Sequence, residues 1–123
     1  MEEKQELREE RINALEVLYQ IDLGFTNYSI SGEKSKEIVD YYLANKASID
    51  EIIENSLYKY HLNRLPVLTR CLVRIAYIEM KNGLAPAIAI NEALEIAKVY
   101  IDDGSGRDVK FINRVLDNIS KTL

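Results

Sequence analysis

The stretch GRDVKFINRVLDNI, Gly106 to Ile119, decides the fold class. A glycine and a short acidic residue, Asp108, precede a segment whose apolar residues recur at helical spacing. Ile112, Val115, Leu116 and Ile119 share one face, the pattern of an amphipathic helix docked on a core. Asp108 is the predicted N-terminal cap, because a short acceptor side chain satisfies free amides there. Phe111 breaks the pattern. At about 100° per residue it lies beyond the edge of the stripe, flanked by Arg107, Lys110 and Arg114. Two readings stay open. The ring packs under the glycine loop, or it stands among the cations as a platform for a nucleic-acid base.

The same period runs through nearly every other segment, and none sustains the alternation of a strand. A first helix is predicted from Glu3 to Leu23, with Leu7, Ala14, Leu15, Leu18 and Ile21 as its stripe. GFTNYSISG interrupts it. A second helix follows Ser31, with Ile38, Val39, Tyr42 and Leu43 facing inward. Ser48 and Glu51 form an S-x-x-E capping box that opens a third, continued by Ile49, Ile53, Leu57 and Tyr60, with His61 at its end. Pro66 suits the first turn of a fourth helix carrying Leu68, Leu72, Ile75 and Ala76, and Gly83 stops it. A fifth follows Pro86, with Ile90, Ala93, Leu94, Ala97 and Ile101. The opening stretch is the sixth. The expectation is one all-α domain over residues 1–123, without repeats or linkers.

Apolar residues make up 47% and charged residues 29%, the balance of a folded chain rather than a disordered one. A net charge of -4 excludes a globally basic nucleic-acid binder and leaves room for a local basic patch. The single cysteine, Cys71, cannot form an internal disulfide and falls on a predicted apolar face, which suits a buried thiol in a reducing cytoplasm. No signal peptide and no apolar run near the ~18 residues of a membrane span are present.

The charges of the first helix sort by face. Lys4, Arg8 and Arg11 share a flank with Tyr19, and Glu6, Glu9, Glu10 and Glu16 hold the opposite side. This is either an ordinary solvated surface or a cationic, aromatic-edged strip of the kind that follows single-stranded RNA. Catalytic or metal chemistry finds no constellation. His61 is the only histidine, GSG at Gly104 to Gly106 lacks the lysine and hydroxyl of a phosphate loop, and Asp102 and Asp103 read as turn formers. No enzyme, cofactor or metal is expected.

Several stretches together resemble one family. ALEVLYQID at Ala14 to Asp22, ID with a following I at Ile49 to Ile53, NRLP and LVRIAYIEM between Asn63 and Met80, AINEALEIAK at Ala89 to Lys98 and KFINRVLD at Lys110 to Asp117 are similar, in order and spacing, to NusB transcription antitermination factors. INEA with KFIN is the specific pair. The resemblance implies an all-α fold of two packed three-helix bundles and a non-enzymatic role. NusB factors pair with the ribosomal protein NusE, bind the single-stranded boxA element of nascent ribosomal RNA leaders, and join the elongating RNA polymerase. The resemblance maps RNA contact onto Arg8 and Arg11 at the start of the first helix and Lys110 and Phe111 at the start of the last, to which the charge pattern of this sequence adds Lys4, Arg107 and Arg114; it maps the NusE surface onto Tyr19 and Glu79, both expected to be exposed. It leaves monomer or homodimer open.

Three departures from the family pattern stand out. The usual arginine cluster at the N-terminus is diluted by Glu2, Glu3, Glu6, Glu9 and Glu10. The loop YIDDGSGRD is longer than usual, with Asp108 in place of a common serine. Arg114 replaces a common glycine. Two other functions fit a helical domain of this kind: the RNA-binding domain of an RNA methyltransferase, which the absence of a catalytic domain disfavours, and a helical protein adaptor without RNA contact.

Overall fold

The computed structural model describes residues 2–123. They form five α-helices and one short 3-10 turn: α1 (Glu2–Asp22), α2 (Glu33–Asn55), the turn Leu62–Arg64, α3 (Val67–Lys81), α4 (Pro86–Tyr100) and α5 (Arg107–Ser120). No strand occurs among the described residues, in line with the all-α expectation.

The order of packing follows from α3. Every residue from Cys71 to Met80 is buried, and a helix apolar nearly all round belongs in the middle. α1, α2 and α3 pack on one another, and so do α3, α4 and α5. The two three-helix bundles therefore share one helix, and five helices suffice where six were predicted.

The difference lies in α2. The predicted second and third helices are arms of one helix, kinked at Asn45, whose backbone leaves helical geometry (φ -131, ψ 22). The Asn45 side-chain amide donates to the Tyr41 carbonyl at 3.0 Å. That carbonyl is the one the Asn45 backbone amide would use in a regular turn, and such competition bends helices. The second arm starts directly after Asn45, so Ser48 lies inside it rather than at its start, no side-chain hydrogen bond joins Ser48 and Glu51, and the capping-box reading fails. Leu43, just before the kink, is half-exposed rather than inward. α2 ends at Asn55, so Tyr60 lies beyond it on an exposed loop, as does His61.

α2 is instead started from across the bundle. The Glu10 carboxylate of α1 accepts hydrogen bonds from the backbone amides of Lys34 (2.7 Å) and Ser35 (3.2 Å). An anion at a helix N-terminus satisfies free donors and the helix dipole together. Asn13 pins the preceding loop through Ser29, Ser31 and Ser35. A Cβ on Gly32 would meet the Glu10 carboxylate at 2.3 Å, so the glycine leaves room for the cap.

At the other end, α5 does not begin on an Asp108 cap. Gly106 occupies the cap position with φ 82, a left-handed conformation that favours glycine. The loop is closed by Asp102, which accepts from the amides of Gly104 (2.9 Å) and Gly106 (3.1 Å), and by the Ser105 hydroxyl, which accepts from the Arg107 amide (3.1 Å). Asp102 and Asp103 are the turn formers expected. No helix among the described residues is long and apolar enough to cross a membrane.

Candidate functional site

Three groups of charged residues organise the molecule. The first lies where α1, the start of α2, α3 and α4 meet. Arg8 clasps Glu92 with two parallel hydrogen bonds, Nε to Oε1 at 3.0 Å and Nη2 to Oε2 at 2.9 Å. Arg11 is buried. Its Nε donates to Glu79 at 2.7 Å and its Nη1 to Glu92 at 3.4 Å. Lys34 brings its ammonium to 3.0 Å from the other Glu79 oxygen, a charge contact without hydrogen-bond alignment. The hydrogen bond from Arg8, reinforced by the charges of Arg11 and Lys4, holds the Glu92 carboxyl below its ordinary value despite burial. Two cations of the predicted RNA strip therefore tie α1 to α3 and α4.

No predicted site residue belongs to the second group. Arg74, on α3, forks onto Asp50 (2.9 and 3.1 Å), reaches Asp22 (3.0 Å) and lies 5.1 Å over the Tyr42 ring. Arg70 completes the cluster on Asp22. Burial opposes both charges, but the ion pairs outweigh it: Arg74 is raised and Asp22 lowered from their ordinary pKa values. Burial pushes the nearby Cys71 thiol up to about 11, keeping it neutral. The sequence held one clue. A charge inside a run as apolar as CLVRIAYIEM has no water to turn to and must find its partner within the protein.

The third group sits at the start of α5. Lys110 and Arg114 are exposed and have no acidic partner among the described residues. Arg107, also exposed, makes a solvated pair with Asp103 at 3.3 Å. Phe111 is half-buried. Its ring meets Tyr60 edge to face at 5.1 Å, and with Arg114 it lines a groove walled on the other side by the Tyr58–Tyr60 loop. One side of the ring thus packs on the protein, against Tyr60 rather than under the glycine loop, and the rest faces a groove.

This geometry joins a clear result from comparison. Residues 8–121 match the NusB family. The chain belongs to that family. A transcription antitermination protein NusB of Bacillus cereus (strain B4264) is 36% identical over 130 aligned positions, covering 94% of this chain and 98% of its own length. One from Bacillus anthracis (strain CDC 684) agrees to the same degree. The solved structure of T. maritima NusB superposes with a TM-score of 0.76 at 29% identity, over 94% of this chain and 90% of that one. The relatives are matched nearly end to end, so the likeness is to whole antitermination factors rather than to one domain of a methyltransferase, and the family is not one of enzymes.

Against this NusB frame, the predicted site residues divide. Arg8, Arg11 and Glu79 come together, but Glu79 and Arg11 are not at the surface, at 4% and 5% exposed. The expectation that Glu79 faces outward is corrected. Its carboxylate is consumed by Arg11 and Lys34 across the helix interface. Arg11 is likewise corrected from a surface cation to an internal tie, while Arg8 keeps a third of its side chain exposed and one guanidinium nitrogen, Nη1, without a hydrogen bond. Lys4 is exposed at the rim of a groove between α1 and α4. Tyr19 is exposed as expected, with Leu23 and Phe25 exposed just beyond it. α1 packs on α2 and α3, whereas α5 packs on α3 and α4, so the two predicted RNA-facing starts belong to different bundles.

Proposed function

We propose that this antitermination protein acts as a single RNA-binding domain that engages a boxA-type single-stranded RNA together with NusE, and so joins the elongating RNA polymerase. The observation that carries the RNA reading is the start of α5. Lys110 and Arg114 are free cations beside a half-exposed phenyl ring, and cations with rings are what a single strand needs for its phosphates and bases. Arg107, Lys4 and the free edge of Arg8 extend the phosphate contacts. Arg11 and Glu79 act as positioning residues that hold α1 in place. Tyr19, with Leu23 and Phe25, forms the apolar patch on which NusE docks.

The test is RNA affinity measured with and without NusE. Binding of a boxA-type RNA that strengthens when NusE is added supports the reading. NusE binding without any RNA contact would establish the adaptor function instead.

A further inference from the structure

A polar pocket of about 540 Å³ opens between the ends of α1 and α2, the Leu62–Arg64 turn and the start of α3. The Arg74 cluster lines it, together with Glu54 and His61. Its carboxylates are already engaged. Asp22 accepts from Arg70 and Arg74, and Asp50 accepts both arms of the Arg74 fork. Glu54 accepts from the Leu62 amide at 2.6 Å and faces His61 at 3.0 Å. Arg64 differs. It is exposed, and its guanidinium makes no hydrogen bond or ion pair among the described residues. Its backbone is nonetheless fixed. Leu62 is buried, and Arg70 donates to the carbonyls of Asn63 (3.2 Å) and Leu65 (3.1 Å), the residues on either side of Arg64. A cation carried on a fixed turn loses less freedom on binding than one on a mobile loop.

The pocket adjoins the patch of Tyr19, Leu23 and Phe25. Asp22 lines the pocket, and Tyr19, three residues earlier on α1, is its neighbour on the helix surface. Leu23 and Phe25 follow directly beyond the helix end. A partner that covers the patch meets this pocket next. What the pocket still offers is donor capacity, the open fork of one guanidinium. Its complement is a carboxylate, which takes such a fork through two parallel hydrogen bonds. A nucleic-acid strand is a poor match, because its phosphates would run past Asp22, Asp50 and Glu54. We infer that the pocket is a socket for an acidic side chain of NusE, and that Arg64 is the residue that receives it. The inference rests on the proposed docking of NusE at Tyr19 and adds to it a charged contact that fixes the partner's orientation.

The test measures NusE affinity of the full chain by titration calorimetry over a range of salt, with urea unfolding alongside. Arg64→Ala should weaken binding about tenfold, the size of one lost hydrogen-bonded charge contact, and should make it less sensitive to salt. Arg64→Glu should weaken it further, and Arg64→Lys should recover only part, since an ammonium lacks the paired fork. Unfolding should stay as in the parent for all three. The partner residue is found by replacing the aspartates and glutamates of NusE one at a time with alanine. One such NusE variant should bind Arg64→Ala and the parent chain equally, the non-additivity of a direct contact. If Arg64→Ala and Arg64→Glu bind NusE as the parent does while Tyr19→Ala weakens it, the socket is wrong and the docking reading survives. If every acidic NusE variant instead adds its effect independently of Arg64→Ala, Arg64 meets no carboxylate and the socket is equally wrong. If Arg64→Ala weakens binding, couples to one NusE carboxylate, and Tyr19→Ala changes nothing, the socket stands and the apolar patch is misplaced. If the parent chain does not bind NusE, the underlying reading and the socket fall together.

Discussion

Helix α1 and the first turns of α5 carry the same ingredients, three cations and an aromatic ring, and the fold uses them in opposite ways. On α1, Arg8 and Arg11 meet Glu92 and Glu79, which lie 84 and 68 residues further along the chain. On α5, Lys110 and Arg114 meet no carboxylate among the described residues. Within its own helix each set reads as a basic strip. What separates them is the residue that the bundle places opposite, and a helical wheel has no access to it. A surface function is therefore assigned to a charge only after its long-range partner is sought.

The sharpest way to break this contrast is to remove Arg11. Arg11→Ala leaves the Glu79 carboxylate buried with only Lys34 to answer it, and stability should fall by about 3–5 kcal/mol, as for a broken buried pair. Urea unfolding measures it. A decrease below about 0.5 kcal/mol, the size of an ordinary surface change, would return Arg11 to the surface.

Acid probes both buried clusters at once. Asp22 and Glu92 have folded-state pKa values below their ordinary 3.8 and 4.5. A lowered carboxylate stabilises the fold fully above its ordinary value, and the contribution is lost as pH falls through the folded-state value. The thermal midpoint should thus hold steady from neutral pH to about 5 and drop below about 4. Arg8→Ala should make that acid limb shallower, because Glu92 then has less to lose. An unchanged limb would mean that Arg8 contributes nothing to Glu92.

Phe111 sits between the two regimes. Phe111→Ala should cost about 2 kcal/mol of stability, less than the ~3–5 of a fully buried ring, and also about 1–3 kcal/mol of RNA binding. A stability decrease at the upper figure with normal RNA affinity would make the ring purely a core residue.

The helices and their inward stripes were legible because burial follows local periodicity: Ala14, Leu15 and Leu18 on α1, and Ile112, Val115, Leu116 and Ile119 on α5, are all buried. A break between Leu43 and Ser48 was legible but not its form, because Asn45 reads as a kink rather than a stop only once its amide is seen on the Tyr41 carbonyl. Motifs that carried the family resemblance proved rich in internal ties. Asp22 of LYQID, Asp50 of ID, Arg74 and Glu79 of LVRIAYIEM and Glu92 of INEA are all ion-pair partners between helices. Their pattern marks the fold strongly, and for that reason it says little about which residues touch a partner. One of the glutamates that dilute the N-terminus gains a role in the same way: Glu10 caps α2.

The most direct test of the contrast is the double variant Lys110→Ala, Arg114→Ala, assayed for urea stability and for boxA-type RNA affinity over a range of salt with NusE present. Stability should stay within about 0.5 kcal/mol of the parent. RNA affinity should fall for all sequences alike, and the slope of log affinity against log salt should drop by about 1.4, roughly 0.7 for each phosphate of a single strand that is no longer neutralised. Intact stability with unchanged affinity and slope would contradict the account, and would show that the free cations of α5 are surface charge and nothing more.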